Sequence, residues 1–401
     1  MGYTDQELCS MKLIDKNVFF NRKIKFKSPP QSDILVFERI GSQRIRDHIL
    51  PDLPFYVFDS RLEEIFISAR LLLYFLENMK HIGIQDLKNV RRIPHAIIGQ
   101  LWRIYLLSCI RCFRPKVVVT WIDNHAVFHW LCKHYKEAEF MAIQNGSRTR
   151  VEFKGLNVPY RIGHLFCFGE YEKDMYSGGG HQIDHYYPIG SVLGGYYKYR
   201  TNRKSTSQYD ICVVSAWRGN IGNGPDVQRT MESMQKMDFF LSQYVKEYNL
   251  KVAIIMRSEP NSADRNIPAY GDEKEYFRNI YPDHVELIDP VFKEHNIYSV
   301  MDQSDFIVSF GSTAPREAFG WGKKVLFCDF TGTNLYNDYD PLILFRTENY
   351  DLLKTRLNEI RLMPYEDYIS NTKDYASYLM NYDPNCPPHL FIRQKIEHYL
   401  S

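Results

Sequence analysis

VELIDPVFKEHNIYSVMDQSDFIVSFGSTAPREAFGWGKKVLFCDF, residues 285–330, decides the fold. A short apolar strand over Val285–Ile288 is followed by a helix at Ile297–Met301 and a buried strand at Phe306–Phe310. A tight turn, Gly311-Ser312-Thr313, leads into a helix carrying Glu317; Gly322 follows it, and another buried strand runs over Lys324–Phe330. Short apolar runs alternating with helices predict parallel βαβ units. Strand, small-residue turn and helix N-terminus together make an anion site. The first N–H groups of the helix point at the turn, the dipole is positive there, and Ser312 and Thr313 add hydroxyl donors. Glu317 lies four residues past Thr313, one turn up the same helix face, where a carboxylate suits ribose hydroxyls while the turn holds phosphate. An ordinary βαβ crossover with a good N-cap would give the same pattern without a ligand.

The alternation extends in both directions. Strands are expected at Asp33–Phe37, Pro54–Phe58, Lys116–Ile122, Phe140–Gln144, His164–Phe168 and Tyr187–Ile189, with helices at Glu64–Met79, His95–Cys112 and Ala126–His134. The polar, basic stretch Tyr199–Gln208 reads as an interdomain linker. A second unit opens with a strand at Asp210–Ser215, then a helix at Val227–Tyr248, a strand at Lys251–Met256 and a helix at Glu273–Tyr281. Helices at Tyr350–Arg361, Tyr365–Met380 and Pro388–Leu400 close the chain. The fold class is α/β: two Rossmann-like domains, 1–203 and 204–401, with a cleft between them. Ligands in such sheets bind outside the carboxyl ends of strands.

At 401 residues and 44% apolar content, the chain is long enough for two domains with substantial cores. A net charge of +2 excludes a polyanion binder that works by bulk charge, so no nucleic-acid partner is expected. Eight cysteines are scattered, with only Cys109 and Cys112 close; buried, reduced thiols and a cytoplasmic location follow. No apolar run reaches the length of a membrane span. The basic stretches Asn21–Lys27 and Arg200–Lys204 suit peripheral contact with a membrane face or a polysaccharide assembly complex, or simple solvation.

In the first unit the strand KVVVTWID ends in Asp123-Asn124-His125, and EFMAIQN ends in Gln144-Asn145-Gly146-Ser147-Arg148. HLFCFGE ends in Gly169-Glu170, and the next strand ends in Ile189-Gly190-Ser191. Four successive strands thus deliver polar or small residues to one edge. Asp123 and Asn124 also suit helix capping, and His125 with His129 has the i, i+4 spacing of a metal pair, with no further ligand suggested. Arg61, Arg148, Arg218 and Arg257 each follow a strand or sit in a turn beside one, as do Ser215 and Gly311. SGGGH (177–181) and RGNIGNGP (218–225) read as mobile cleft loops, and neither fits an ATP or NAD fingerprint. Asp338-Tyr339-Asp340 matches a D-x-D string but sits late, in a Tyr/Asn/Asp turn.

The second unit's pattern of Ser312, Thr313, Glu317, Ala318, Gly322, Lys323 and Lys324 resembles the donor-nucleotide half of GT-B-type glycosyltransferases. The series WIDNH, AIQNGSR, FCFGEYEKDMY and YPIGS, with the opening blocks DILVFERIGSQ and YVFDSRLEEIFI, is similar to bacterial surface-polysaccharide transferases, most of all the β-Kdo transferases of capsule and O-antigen (lipopolysaccharide) assembly. That resemblance implies transfer of Kdo from CMP-Kdo to a glycan or lipid-linked glycan acceptor, with a covalent intermediate and retention. It implies Asp123 as nucleophile and Glu63 or Glu170 as acid/base. It assigns the donor to Arg61, Asn124, Gln144, Asn145, Arg148, Ser215, Arg218, Arg257, Gly311, Ser312, Thr313 and Glu317. It implies no cofactor and no metal. In GT-B enzymes the last helix often crosses back to the first domain. The same residues suit a UDP- or GDP-hexose transferase, a CDP-polyol phosphotransferase, a sugar epimerase, or a non-catalytic scaffold in carbohydrate assembly.

Overall fold

The computed structural model describes residues 23–60, 64–82, 93–148, 160–201, 206–219, 225–260, 270–291, 296–333 and 339–401. Its strands are short, and most are dominated by aliphatic and aromatic residues; the central ones, such as Ile34–Phe37, Val117–Thr120 and Val252–Ile255, are buried at every position. That burial is the mark of parallel strands covered by helices on both faces.

The first unit contains β1 (Lys23–Lys25), β2 (Ile34–Phe37), α1 (Ser42–His48), β3 (Tyr56–Phe58), β4 (Glu64–Phe66), α2 (Ala69–Asn78) and α3 (Ile93–Phe113). It continues with β5 (Val117–Thr120), α4 (Ala126–His134), β6 (Glu139–Ile143), β7 (Arg161–Cys167), α5 (Glu170–Gly178), β8 (Gln182–Pro188) and α6 (Val192–Arg200). Six strands form one parallel sheet in the order β3-β2-β5-β6-β7-β8. The strand order reverses between β2 and β5, which makes their carboxyl ends the topological switch point. The other two strands, β1 and β4, pair in parallel as a separate ribbon.

Glu64–Phe66 was expected to open a helix. It is strand instead, because it pairs with Lys23–Lys25, and Ser68 caps the helix that follows by accepting from the Leu71 N–H. SGGGH is likewise not a cleft loop. It ends α5 and turns through Gly180 at φ 78° into β8, with His181 Nδ1 accepting from the Tyr160 N–H at 2.8 Å.

The second unit contains β9 (Tyr209–Val214), α7 (Pro225–Tyr248), β10 (Val252–Ile255), α8 (Tyr270–Ile280), β11 (Glu286–Ile288), α9 (Asn296–Asp302) and β12 (Ser304–Ser309). It continues with α10 (Thr313–Gly320), β13 (Lys324–Cys328), β14 (Leu344–Phe345), α11 (Tyr350–Leu362) and α12 (Tyr365–Leu379). Its sheet runs β11-β10-β9-β12-β13-β14, all parallel, the 3-2-1-4-5-6 order of mononucleotide-binding folds. Here the switch point lies between β9 and β12, and the turn Gly311-Ser312-Thr313 follows β12 directly.

The two-sheet expectation therefore holds. The last helix, α13 (Pro388–Leu400), returns to the first unit. Ile392 and Ile396 pack with Ile34, Val36, Val117 and Val119, and Arg393 grips Asp52 through two bonds of 2.6 and 2.9 Å. Cys109, Cys112, Cys132, Cys167, Cys212 and Cys328 are free and buried. Among the described residues, no helix is long and apolar enough to cross a membrane.

Candidate functional site

Asp123 follows β5 and is wholly buried. Its carboxylate accepts from Arg148 through Nε at 3.0 Å and through the second guanidinium nitrogen, from the Tyr176 hydroxyl at 2.8 Å, and from the Asn145 N–H at 3.4 Å. Arg148 also reaches Asn145 Oδ1 at 2.6 Å and Asn124 Oδ1 at 3.4 Å. Four of the predicted residues, Asp123, Asn124, Asn145 and Arg148, thus form one cluster. It exists because β5 and β6 are adjacent and in register, so their trailing turns meet. Both oxygens of Asp123 are engaged, so attack on an electrophile requires Arg148 to let go. Burial, with the Asp123 charge beside it, pushes the Tyr176 hydroxyl far up and keeps it a donor. His129 anchors the turn from beneath, its Nε2 2.5 Å from the Asp123 carbonyl; burial lowers its pKa to about 4, so it is neutral. That role replaces the metal pairing considered for His125 and His129.

The switch-point partner of Asp123 is Glu38, the residue after β2, which the sequence reading passed over. It is buried and held at φ 79°, a left-handed conformation unusual for a non-glycine side chain. Burial opposes its charge, but interactions with His125, Ser60 and Asp59 together outweigh that, and the carboxyl falls to about 2. His125 Nδ1 accepts from the Phe128 N–H as the cap of α4, which leaves Nε2–H to face Glu38 Oε1 at 3.4 Å. A strained residue at the switch-point edge of a parallel sheet is a functional signal. No feature of the bare sequence carries it.

Across the cleft, α10 presents its N-terminus. Its N-cap, Ser312, makes no side-chain cap bond. Thr313 Oγ1 accepts from the Ser147 N–H at 2.9 Å, which sets the α10 turn directly beside the Asp123–Arg148 cluster. Two further α10 side chains cross to the first unit. Arg316 and Glu172 form a wholly buried ion pair at 2.7 Å, and Arg316 also donates to the Leu379 carbonyl. Glu317 takes the Ser191 hydroxyl, with Tyr298 as a second donor; burial raises its pKa against both bonds. Glu317 therefore faces α6 and is already engaged, rather than open to ribose. Arg44 on α1 lies over the Trp121 ring at 5.8 Å and close enough to Glu317 to act on its charge. The sequence reading did not single it out.

Glu273 on α8 organises the ends of β9 and β10. It accepts from the Ser215 hydroxyl at 2.6 Å, the Arg257 N–H at 2.9 Å and the Ser258 N–H at 2.8 Å. Ser215 is thereby committed to the scaffold, while the Arg257 guanidinium lies 3.5 Å from the Trp217 carbonyl. Arg218 is exposed on the same edge. Gln144 is spent on structure, joining Gly146, Phe168 and Glu172. Glu170 points outward beside Lys173 at 3.7 Å. The carboxylate that turns inward from that strand end is Glu172, which caps the Gly169 N–H from the third helical position. Arg61, Glu63 and Asp338 lie outside the described residues. Asp340 Oδ1 accepts from the Leu342 N–H at 2.8 Å, a turn contact. Among the described residues no group of three or more His, Cys, Asp or Glu is arranged to hold a metal.

No family model matches the chain, and no curated protein does. Among solved structures it is similar to UDP-GlcNAc 2-epimerase from Neisseria meningitidis bound to UDP-GlcNAc. The identity there is 13%, over 92% of this chain and 98% of that one, with a TM-score of 0.47. It is similar also to the wall teichoic acid polymerase TagF, at 11% identity over 99% and 93% and a TM-score of 0.49. A third is a glycosyltransferase from Rickettsia africae, at 13% identity over 94% and 98% and a TM-score of 0.45. At these scores the likeness is weak and says nothing about the chemistry of the site.

Proposed function

We propose that this chain is a GT-B-type glycosyltransferase that binds a nucleotide sugar in its cleft, and that the donor is CMP-Kdo. One observation carries the reading: the two switch points meet, with the α10 turn touching the loop that holds Arg148. An anionic donor at the α10 N-terminus then lies beside Arg148 and Asp123. Arg44 acts on Glu317 of α10 and Arg257 stands at the carboxyl end of β10; with Arg148 these cations suit a donor with one carboxylate and one phosphate. When that donor binds, its carboxylate takes Arg148 from Asp123. The freed Asp123 oxygen forms a bond to the anomeric carbon as the bond to the phosphate oxygen breaks, and CMP leaves with the electron pair. The acceptor hydroxyl then displaces Asp123 at the same carbon, giving its proton to the acid/base, for which Glu63 is the candidate, since Glu170 points outward.

Calorimetric titration with CMP, CDP, UDP and GDP tests this first. Preference for CMP, CMP-Kdo turnover, and loss of turnover but not of CMP binding in Asp123→Asn are expected. Preference for UDP or GDP replaces the donor and keeps the transferase or epimerase chemistry. Preference for CDP points to polyol-phosphate transfer. Binding of none favours a non-catalytic scaffold.

A further inference from the structure

Among the described residues, the ribbon and α2 carry an apolar surface that no element covers. In a parallel ribbon partnered side chains share a face, so Ile24 lies with Ile65, while Lys23 and Lys25 lie on the opposite face with Glu64 and Phe66; Phe26 and Ile67 directly follow the paired residues. Phe26 is 82% exposed, Ile24 53% and Ile67 48%. On α2, which starts one residue after Ile67 and its cap Ser68, the outward stripe is Ala69, Leu72, Leu73, Leu76 and Lys80. Leu72, Leu73 and Leu76 are each about 60% exposed. A surface helix of a soluble protein normally turns polar residues outward; this one turns leucines.

The charge around this face decides what covers it. The ribbon, α2 and α3 with their flanks (residues 23–28, 64–82 and 97–114) hold eight Lys and Arg against two Glu. That is a local net charge of +6 in a chain whose total is +2, so the remainder is net negative. Lys27 follows Phe26, exposed Lys23 opens the ribbon on the side opposite Ile24, Arg70 lies in the first turn of α2, and Lys80 ends the leucine stripe. A second copy of this chain would bring the same positive charge to the interface. The preceding residues 1–22 carry three acidic and three basic side chains, a net charge of zero. An apolar face rimmed by cations fits an anionic lipid surface, where leucines and a phenylalanine enter the headgroup boundary and lysines meet phosphate.

We propose that the face formed by Ile24, Phe26, Ile67, Leu72, Leu73 and Leu76 docks the protein on an anionic bilayer. β4 also gives Glu64 and Phe66 to a cavity of about 260 Å³ lined by Arg39 and Asp59, at the carboxyl ends of β2 and β3. The docking face therefore adjoins the active edge of the first unit, so a lipid-borne substrate would arrive there. The inference does not depend on which sugar is transferred, and its test reads binding, not turnover.

The test is co-sedimentation of the full chain with vesicles of phosphatidylcholine alone, or of phosphatidylcholine mixed with phosphatidylglycerol. Binding to the mixed vesicles only, weakening with salt, is expected. At about 1 kcal/mol per basic residue, Lys23→Glu with Lys27→Glu and Lys80→Glu should weaken binding by about 100-fold or more. Leu72→Ser with Leu73→Ser and Leu76→Ser, all at exposed positions, should weaken it at every salt concentration. No binding of the unaltered chain to mixed vesicles at low salt overturns the proposal, as does equal binding by both variants. A dimer in sedimentation velocity that the serine variant dissolves, without vesicle binding, assigns the face to self-association and overturns it too.

Discussion

Replacing Arg316 by Met should be the most damaging single change at the domain interface. Arg316 and Glu172 are both wholly buried, 2.7 Å apart, on α10 and α5. Met keeps most of the side-chain volume and removes the charge. It leaves Glu172 with two donors, Gln144 Nε2 at 3.1 Å and the Gly169 N–H at 3.0 Å, and no cation. It also strips the Leu379 carbonyl of its guanidinium donor. Breaking a buried pair from one side costs about 3–5 kcal/mol, against a total stability of roughly 5–15 kcal/mol. Equilibrium urea unfolding followed by tryptophan fluorescence would measure it. The double variant Glu172→Leu/Arg316→Met buries no unpaired charge, so it should lose less than Arg316→Met alone, and the cycle should show a coupling well above 1 kcal/mol. A loss below about 1 kcal/mol in the single variant, or strict additivity in the cycle, would refute the view that this pair carries the interface.

Other expectations are as definite. Gly41→Ala combines a φ of +78° with a Cβ that would overlap the Trp121 side chain; it should cost about 2 kcal/mol or more by thermal unfolding. Glu38→Gly relaxes the left-handed strain at that position, so stability should stay within about 1 kcal/mol of the parent. Under the proposed transfer reaction, turnover should nonetheless fall steeply; full turnover would strip Glu38 of any functional role. Asp238 on α7 is wholly buried, and burial lifts its pKa to about 7 despite hydrogen bonds from Tyr276 and Tyr281. Its folded pKa lies above its unfolded one, so its contribution is full below about pH 4 and is lost as pH rises towards 7. Three units correspond to about 4 kcal/mol. Asp238→Asn should therefore gain stability relative to the parent across that window, and a pH-independent difference in unfolding free energy would contradict the assignment.

The pattern of buried strands was legible because runs such as Val117–Thr120 and Val252–Ile255 are aliphatic between polar breaks. The turns behind them were legible for the same reason: Asp123, Asn145 and Arg148 stand where strands end, and adjacency of β5 and β6 joins them. What failed depended on partners distant in sequence. Glu64-Ile65-Phe66 extends the helical pattern of α2, and only its pairing with Lys23–Lys25 makes it strand. Glu172 looked no more important than Glu170, because the difference is one of direction: the third helical position turns in to cap, the first turns out. Its true partner, Arg316, is 144 residues away. Glu38 was hidden for another reason, since backbone dihedrals leave no trace in residue identity when the residue is not glycine.

The residues that hold α10 also explain why its N-terminus is available. Thr313, Arg316 and Glu317 each bond across the cleft, to Ser147, Glu172 and Ser191. Three contacts within the first turn and a half fix the axis of the helix against the first unit. Fixing it spares a ligand the entropy of ordering the helix, and it aims the first N–H groups at one place beside Arg148. The same contacts set a limit. Separating the domains at α10 would expose a buried ion pair, so closure on a ligand cannot be a hinge opening at this helix. The movement that binding requires is smaller: a shift of the Arg148 guanidinium between Asp123 and an incoming anion. That shift exchanges one charge-assisted hydrogen bond for another, which is why a site with no vacant carboxylate can still be poised to react.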